Sequence, residues 1–181
     1  MSIAPHDDLV SLLTGDHEAV KQRFAEFETA LPEFRAELFW KLMDQLIRHE
    51  AAEEAIVYPA LKQLPRGDVV ARARIAEEAE AEQHLARMEK LEPASHEFLG
   101  SLLDLRDAVL AHAESEETEA FPLLLTHLDN AALVHLGQKF KSAKLAAPTH
   151  PHPHIPKRPA ANKLLGPIAA FVDRVRGGVT A

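Results

Sequence analysis

HEAAEEAIVYPAL, residues 49–61, recurs 63 residues later as HAESEETEAFPLL, residues 112–124. Both copies follow the pattern H-x-x-x-E-E-x-x-x-[Y/F]-P-x-L. Residues four apart on a helix share a face, with Cβ atoms about 5–6 Å apart. Each copy can therefore aim one imidazole and one carboxylate at the same point. Two such helices facing each other would form a mixed nitrogen–oxygen site, which suits a first-row transition metal.

The sequence around the two copies has a helical pattern from about residue 7 to residue 145. Glycine is rare there, and apolar residues recur three and four positions apart, as in amphipathic helices. We predict four long helices over residues 8–30, 34–64, 68–91 and 95–127, and a shorter one over 130–145. Prolines and a glycine mark the breaks between them. The predicted fold class is all-α, an up-down-up-down four-helix bundle with a short C-terminal helical extension, and metal sites are common in such bundles.

Local signals refine these helices. Asp68 and Ser95 are suitable N-caps for the third and fourth helices. Pro59 and Pro122 lie at the same position of the two copies, inside the second and fourth helices. Each proline removes one backbone hydrogen bond, so we expect a kink at both places.

The chain divides into three parts. Residues 1–145 are expected to form one bundle domain. Residues 146–161 are rich in proline and histidine, and we interpret them as an extended linker. Residues 162–181 follow as a C-terminal amphipathic helix and tail, whose apolar stripe we expect to pack on the bundle or on a partner chain.

The composition excludes several classes of site and partner. The chain has 181 residues, no cysteine and a net charge of −8. Without cysteine there can be no disulfide, thiolate zinc site or cysteine-ligated cluster, and the negative charge disfavours nucleic acid as a partner. No apolar run reaches the ~20 residues that span a bilayer, and the N-terminus lacks the basic start and apolar run of a signal peptide. We expect a cytoplasmic protein without a membrane partner.

The candidate metal ligands follow from placement more than from spacing. With 11 histidines and 28 acidic residues, roughly two H-x-x-x-[D/E] pairs arise by chance, and two are found. These two pairs lie in matched contexts on two helices, and each remaining helix carries a well-placed histidine. Four imidazoles and two carboxylates meeting in a core would be costly to desolvate without a cation. The predicted ligands are His17, His49, Glu53, His84, His112 and Glu116.

Other polar residues near this set are weaker candidates. Glu54 and Glu117 each follow a predicted ligand and are rotated from it by about 100°, so we expect them to be solvated or to support a ligand. Tyr58 either packs in the core or supplies a phenolate or a hydrogen bond near the metal. Glu50 and Glu80 are further candidates for direct coordination, and Glu80 stands four residues before the third-helix histidine.

The pattern distinguishes between two kinds of metal-binding bundle. Ferritin-like proteins use Glu-x-x-His pairs, but no histidine here has an acidic residue three positions before it. The chain instead resembles the hemerythrin-like family, with its HHE cation-binding domain. The resemblance rests on His17, His84 and the two H-x-x-x-E pairs with their Tyr-Pro and Phe-Pro flanks, over about residues 8–128. It implies a four-helix bundle with a non-haem di-iron centre, in which the glutamates bridge two iron ions and the histidines are terminal ligands.

One difference from the oxygen carriers of that family bears on function. Those proteins have an H-x-x-x-H pair on the third helix, whereas Glu80 stands four residues before His84 here. An anionic oxygen or water in place of an imidazole favours the ferric state. We therefore expect a protein that binds or reacts with dioxygen, hydrogen peroxide, nitric oxide or a related small oxidant, and catalase-like peroxide decomposition is one option.

An alternative remains open. The same site could serve an iron- or oxygen-responsive sensory or binding module without turnover, which the linker and the C-terminal segment would connect to assembly. In either case we expect a monomer or a weak homo-oligomer.

Overall fold

The structure is a computed structural model that describes residues 7–147. Its α-helices are α1 (Leu9–Thr29), α2 (Arg35–Ala52), α3 (Tyr58–Leu61), α4 (Gly67–Met88), α5 (His96–Ser115), α6 (Phe121–His127) and α7 (Asn130–Ala146). Two π-helical turns, π1 (Glu53–Val57) and π2 (Glu116–Ala120), join α2 to α3 and α5 to α6. Over this described range the protein has no strand, and the all-α prediction is confirmed. The predicted linker, apart from its first two residues at the end of α7, and the predicted C-terminal helix lie outside the described residues.

The helix starts show which local signals act as caps. Asp8 accepts a hydrogen bond from the Ser11 amide, and Ser95 accepts one from the Phe98 amide, as predicted for Ser95. The prediction for Asp68 is wrong, because α4 begins at Gly67 after a residue with φ of 65°. A Cβ on Gly67 would lie 1.8 Å from the carbonyl oxygen of Leu61. The close approach of these two backbones therefore requires glycine at the first helical position.

The π turns occupy the positions where the two prolines predicted kinks. The Tyr58 amide donates to the carbonyl of Glu53, five residues back, and the amide of Phe121 does the same to Glu116. The next residue in each case is proline, which has no amide hydrogen to donate. Such π turns occur often at functional sites. Both copies of the repeated phrase thus place a widened turn at their first glutamate.

The long helices pack side by side as a bundle. α1 contacts α2 and α5, and α4 contacts the same two helices, so these four close a ring. α7 is a fifth packing helix that lies against α1, α2 and π1. A Cβ at Gly137 would lie 2.5 Å from the carbonyl oxygen of Asp7, so α7 meets the start of α1 at a glycine. The alternating direction of the four ring helices stays a prediction.

Two apolar clusters fill the bundle. One includes Phe24, Phe27, Leu42, Met43, Leu85 and Phe98, and the other includes Leu9, Leu13, Val57, Leu61, Leu124 and Phe140. Burying one such side chain stabilises the fold by about 1.5–3 kcal/mol. Along α1, His17 lies between Leu13 of one cluster and Val20 of the other. A polar layer therefore separates the two clusters, and their burial offsets the cost of desolvating it.

The helices also bear on membrane association. Across residues 7–147, none of the helices combines the length and apolar composition needed to cross a bilayer.

Candidate metal centre

Six side chains meet in the polar layer. They come from α1 (His17), α2 (His49), π1 (Glu53), α4 (Glu78), α5 (His112) and π2 (Glu116). Their ligand atoms form two groups, each within 4.8 Å: one contains His17, His49, Glu53 and Glu116, and the other contains Glu53, Glu78 and His112. Glu53 belongs to both groups. The two groups therefore adjoin at one fully buried carboxylate.

Each histidine of the centre is held by a carboxylate on its outer nitrogen. The Nδ1–carboxylate distances are 2.9 Å for His17 to Glu117, 3.0 Å for His49 to Asp16 and 2.9 Å for His112 to Glu77. A carboxylate at Nδ1 favours the tautomer with the hydrogen on that atom. The Nε2 lone pair is then available, which is the usual arrangement around a metal-bound histidine.

The orienting carboxylates are sequence neighbours of ligand candidates. Asp16 precedes a histidine of the centre, Glu77 precedes Glu78, and Glu117 follows Glu116. Consecutive residues on a helix point about 100° apart. One member of each pair therefore faces the centre, and the other reaches the histidine of a neighbouring helix. The supporting role predicted for Glu117 agrees with this contact.

The inward-facing atoms fit a cation. Nε2 of all three histidines, both oxygens of Glu53 and Oε2 of Glu116 are buried and make no hydrogen bond among the described residues. His17 Nε2 lies 3.3 Å from Glu116 Oε2, and His49 Nε2 lies 3.1 Å from Glu53 Oε1. A buried polar atom without a hydrogen bond costs about 1–3 kcal/mol. Coordination to a metal would satisfy all of these atoms at once.

The electrostatics of the two central carboxylates differ. Burial, followed by the negative charge of Glu116, raises the pKa of the Glu53 carboxyl well above its ordinary value. Burial opposes ionisation of Glu116 as well, but the imidazoles of His17, His112 and His49 outweigh it and lower the pKa of that carboxyl. Without a metal, Glu53 therefore holds a proton more readily than Glu116. Metal binding at Glu53 would displace that proton.

Tyr58 is a neutral hydrogen-bond donor inside the centre. Its hydroxyl donates to Glu78 Oε1 at 2.5 Å and lies 3.0 Å from Glu116 Oε1. Burial, followed by the charges of Glu53, Glu78 and Glu116, raises the pKa of the phenol well above its ordinary value. Of the roles considered for Tyr58, this geometry supports the hydrogen bond over the phenolate.

Comparison with known proteins agrees with this geometry. Residues 8–124 match the family model described as the hemerythrin HHE cation binding domain. The chain belongs to this hemerythrin family. The resemblance seen in the sequence is thereby confirmed, and the His/Glu centre of the structure lies within the matched residues.

Two relatives are similar to this hemerythrin-like chain, and both are longer than it. It is 26% identical over 166 residues to an uncharacterized hemerythrin-like protein of Schizosaccharomyces pombe, over 91% of this chain and 79% of that protein. It is 26% identical over 130 residues to a DNA nickase of Nostoc sp., over 71% of this chain but only 37% of the nickase. No solved structure matches the chain significantly.

Five of the six predicted ligands meet in the hemerythrin-like centre, and His84 does not. Its Nε2 lies 2.8 Å from the hydroxyl of Ser101, and it belongs to neither ligand group. His84 is six residues beyond Glu78 on α4, a rise of about 9 Å. Among the weaker candidates, Glu50 is buried and Glu80 is exposed. Neither of them belongs to a ligand group.

Glu78 is the ligand candidate that sequence reasoning missed. The sequence predicts His84 as the ligand from α4, whereas the structure places Glu78 in the centre. A signal for it exists, because Glu77-Glu78 is a third Glu-Glu doublet beside those at residues 53–54 and 116–117. In all three doublets one carboxylate lies in the centre. The contribution of α4 to the centre is thus a third carboxylate beside Glu53 and Glu116.

A cavity of about 480 Å³ adjoins the centre. Three histidines of the centre and Glu78 border it, and its walls include the apolar side chains of Val20, Leu46 and Val109. It extends along α4 to Arg87, nine residues beyond Glu78, which corresponds to about 14 Å of helix. The cavity therefore leaves space for small molecules beside three histidines of the centre.

Proposed function

We propose that this hemerythrin-like protein binds two iron ions and reacts with dioxygen, hydrogen peroxide or a related small oxidant. The observation that carries the proposal is the pair of adjoining ligand groups that share Glu53. His17, His49 and Glu116 would hold one ion, and Glu78 and His112 would hold the other, with Glu53 as a bridge. The choice of iron rests on the family, since nitrogen and oxygen donors also suit zinc or manganese.

The donor set favours oxidant chemistry over reversible carriage. It offers three imidazoles and three carboxylates, and anionic oxygen donors stabilise the higher oxidation state of iron. When bound, an iron pair supplies reversible one-electron changes and an exchangeable position for a small ligand. The protein residues keep the three Nε2 atoms aimed inward, and Tyr58 holds a proton beside Glu78 and Glu116. Catalase-like decomposition of peroxide is the activity we place first.

The cavity supports access for such a ligand. Dioxygen and hydrogen peroxide are much smaller than its volume of about 480 Å³. Its partly apolar walls favour an uncharged molecule over a hydrated ion. Nitric oxide meets the same conditions.

The second candidate is an iron- or oxygen-responsive module without turnover. Its support is the similarity to a DNA nickase, of which the matched region forms only 37%, so a related segment occurs within a larger protein. The net charge of −8 argues against direct contact between this chain and nucleic acid. A cytoplasmic monomer or weak homo-oligomer remains our expectation for both candidates.

Two measurements test the first candidate. After anaerobic loading and removal of free metal, the protein should retain about two iron ions per chain, as the two ligand groups require. The loaded protein should then evolve oxygen from hydrogen peroxide at an oxygen electrode. A stable, reversible oxygen adduct without oxygen evolution would favour carriage instead. A spectral response to oxygen without turnover would favour the sensory module.

A further inference from the structure

Helix α7 lies outside the matched family domain and yet reaches the metal centre. The family match ends at residue 124, and α7 spans Asn130–Ala146. Beside its packing on α1, α2 and π1, it contacts one ligand candidate directly, His49. The ring of Phe140 lies edge-on to the His49 imidazole, with centroids 5.9 Å apart and an interplanar angle of 87°. Lys144 of α7 joins the polar network of the centre through Asp16.

Lys144 shares one oxygen atom with His49. The Lys144 ammonium donates to Oδ2 of Asp16 at 2.5 Å, and the same oxygen lies 3.0 Å from Nδ1 of His49. The Lys144 ammonium therefore orients the Asp16 carboxylate, which in turn orients the His49 imidazole. Side chains that hold a ligand by its outer nitrogen set its orientation toward the metal.

Neighbouring contacts hold Lys144 in place. The guanidinium of Arg48 donates to the Lys144 backbone carbonyl at 3.2 Å, which ties the end of α7 to the residue before His49. The Lys144 ammonium also lies 5.6 Å from the centroid of the Phe140 ring, within the range of a cation–π contact. The lysine is thus restrained through both its backbone and its side chain.

The same arrangement occurs a second time in the centre. Arg74 donates to Oε1 of Glu77 at 2.7 Å, while Oε2 of that carboxylate lies 2.9 Å from Nδ1 of His112. Two of the three orienting carboxylates are therefore held by a cation from outside the ligand set. Glu117, which orients His17, is 44% exposed, and among the described residues its only ion pair is with that histidine.

We propose that Lys144 is a positioning residue of the metal centre, and that α7 contributes to metal binding through it. Lys144 holds Asp16 so that His49 presents Nε2 to the metal. The proposal rests on the proposed function only in requiring that His49 is a ligand. It adds a residue outside the HHE domain to the determinants of metal binding.

The test compares two lysines of the same helix. Lys141 pairs with Asp7 at the surface of α7, so Lys141→Met removes the same charge without touching Asp16. Lys144→Met should weaken cobalt(II) binding by about 3- to 10-fold, less than the roughly 10- to 100-fold loss typical of a residue that touches the ligand directly. Loss of positive charge alone would strengthen cation binding, so weaker binding identifies a positioning effect.

The readouts separate positioning from folding. Cobalt(II) affinity and the visible ligand-field spectrum are measured for the full chain and for Lys144→Met, Lys141→Met, Lys144→Arg and His49→Ala, together with metal-free melting temperatures. We expect an altered spectrum in Lys144→Met, restoration by Lys144→Arg and wild-type behaviour in Lys141→Met. If Lys144→Met matches Lys141→Met while His49→Ala loses the metal, the positioning role is overturned and the metal site stands. If His49→Ala binds cobalt(II) with unchanged affinity, both the positioning role of Lys144 and the proposed metal site are overturned.

Discussion

The hydroxyl of Tyr58 donates to Oε1 of Glu78 at 2.5 Å, and this contact joins the repeated phrase to a helix that lacks it. The same hydroxyl lies 3.0 Å from Oε1 of Glu116, in the second copy of the phrase. One buried donor therefore links carboxylates from α4 and π2. The matched residue of the second copy, Phe121, has no hydroxyl and stacks on His17 with centroids 5.6 Å apart. The repeat is thus symmetric in its ligands and asymmetric in the residues that support them.

Replacing Tyr58 with phenylalanine tests its role as a neutral donor. The metal-free protein should lose about 1.5–3 kcal/mol of unfolding free energy in urea, because a buried hydrogen bond to charged groups is removed. The visible spectrum of the iron-loaded protein should keep its charge-transfer bands. Bleaching of those bands would instead identify Tyr58 as a phenolate ligand.

His112 and His84 form a matched pair of histidines for substitution. His112→Ala removes a ligand and should lower metal affinity by more than the roughly 10- to 100-fold typical of an outer partner. His84→Ala leaves both ligand groups intact and should retain the metal content of the unmodified chain. The metal content of each variant after dialysis distinguishes His112→Ala from His84→Ala. Equal metal loss in both variants would restore His84 as a ligand.

Glu78 and Glu80 provide the corresponding test on α4. Glu78→Gln removes an anionic donor from the group that contains Glu53 and His112, so the stoichiometry should fall from about two metals per chain to about one. Glu80→Gln changes an exposed carboxylate outside both groups and should leave two. Titration of each variant with metal in the presence of a chromophoric chelator measures the number of metals bound per chain. An unchanged stoichiometry in Glu78→Gln would contradict the second group.

The stability of the metal-free protein should depend on the protonation of Glu53. Its pKa in the folded state is raised, because burial and Glu116 disfavour the charged form. Its contribution to stability is therefore fully present below the pKa of the unfolded chain, 4.5, and is lost as the pH rises through the folded value. Between pH 4.5 and the raised pKa of Glu53, the unfolding free energy of the unmodified protein should decline as the pH rises, and Glu53→Gln should decline less.

Comparison with Glu53→Gln is needed because other groups titrate in the opposite direction. Burial lowers the pKa of His112, so that group contributes stability that is lost as the pH falls. The lowered pKa of Glu116 acts in the same sense, at pH values below 4.5. Urea unfolding of both proteins between about pH 5 and 8 isolates the Glu53 contribution. Parallel curves for the two proteins would contradict a raised pKa.

The helices could be predicted from the sequence because their signals are local. Apolar periodicity, prolines and caps fix where α1 to α7 lie to within a few residues, although the N-cap of α4 is Arg66 and not Asp68. The π turns could not be predicted, because a change of hydrogen-bond partner from four to five residues back leaves the apolar pattern almost unchanged. Only the matched Pro59 and Pro122 pointed to an irregularity at those places.

The candidate site was predictable where the sequence repeats itself. His49, Glu53, His112 and Glu116 are placed by the repeat, and α1 carries a single histidine. On α4, His84 is the one histidine of the helix and was predicted for that reason, whereas the structure places Glu78, six residues earlier, beside Glu53 and His112. The relative height of packed helices depends on how their side chains interdigitate, which a single sequence does not reveal.

The most direct test of the account is the iron content of the protein together with that of Glu53→Gln, the carboxylate shared by both ligand groups. After anaerobic loading and gel filtration, we predict about two iron ions per chain in the unmodified protein and fewer than one in the variant, because removing the shared carboxylate weakens both groups. Less than one iron ion per chain in the unmodified protein, or equal iron in the two proteins, would contradict it.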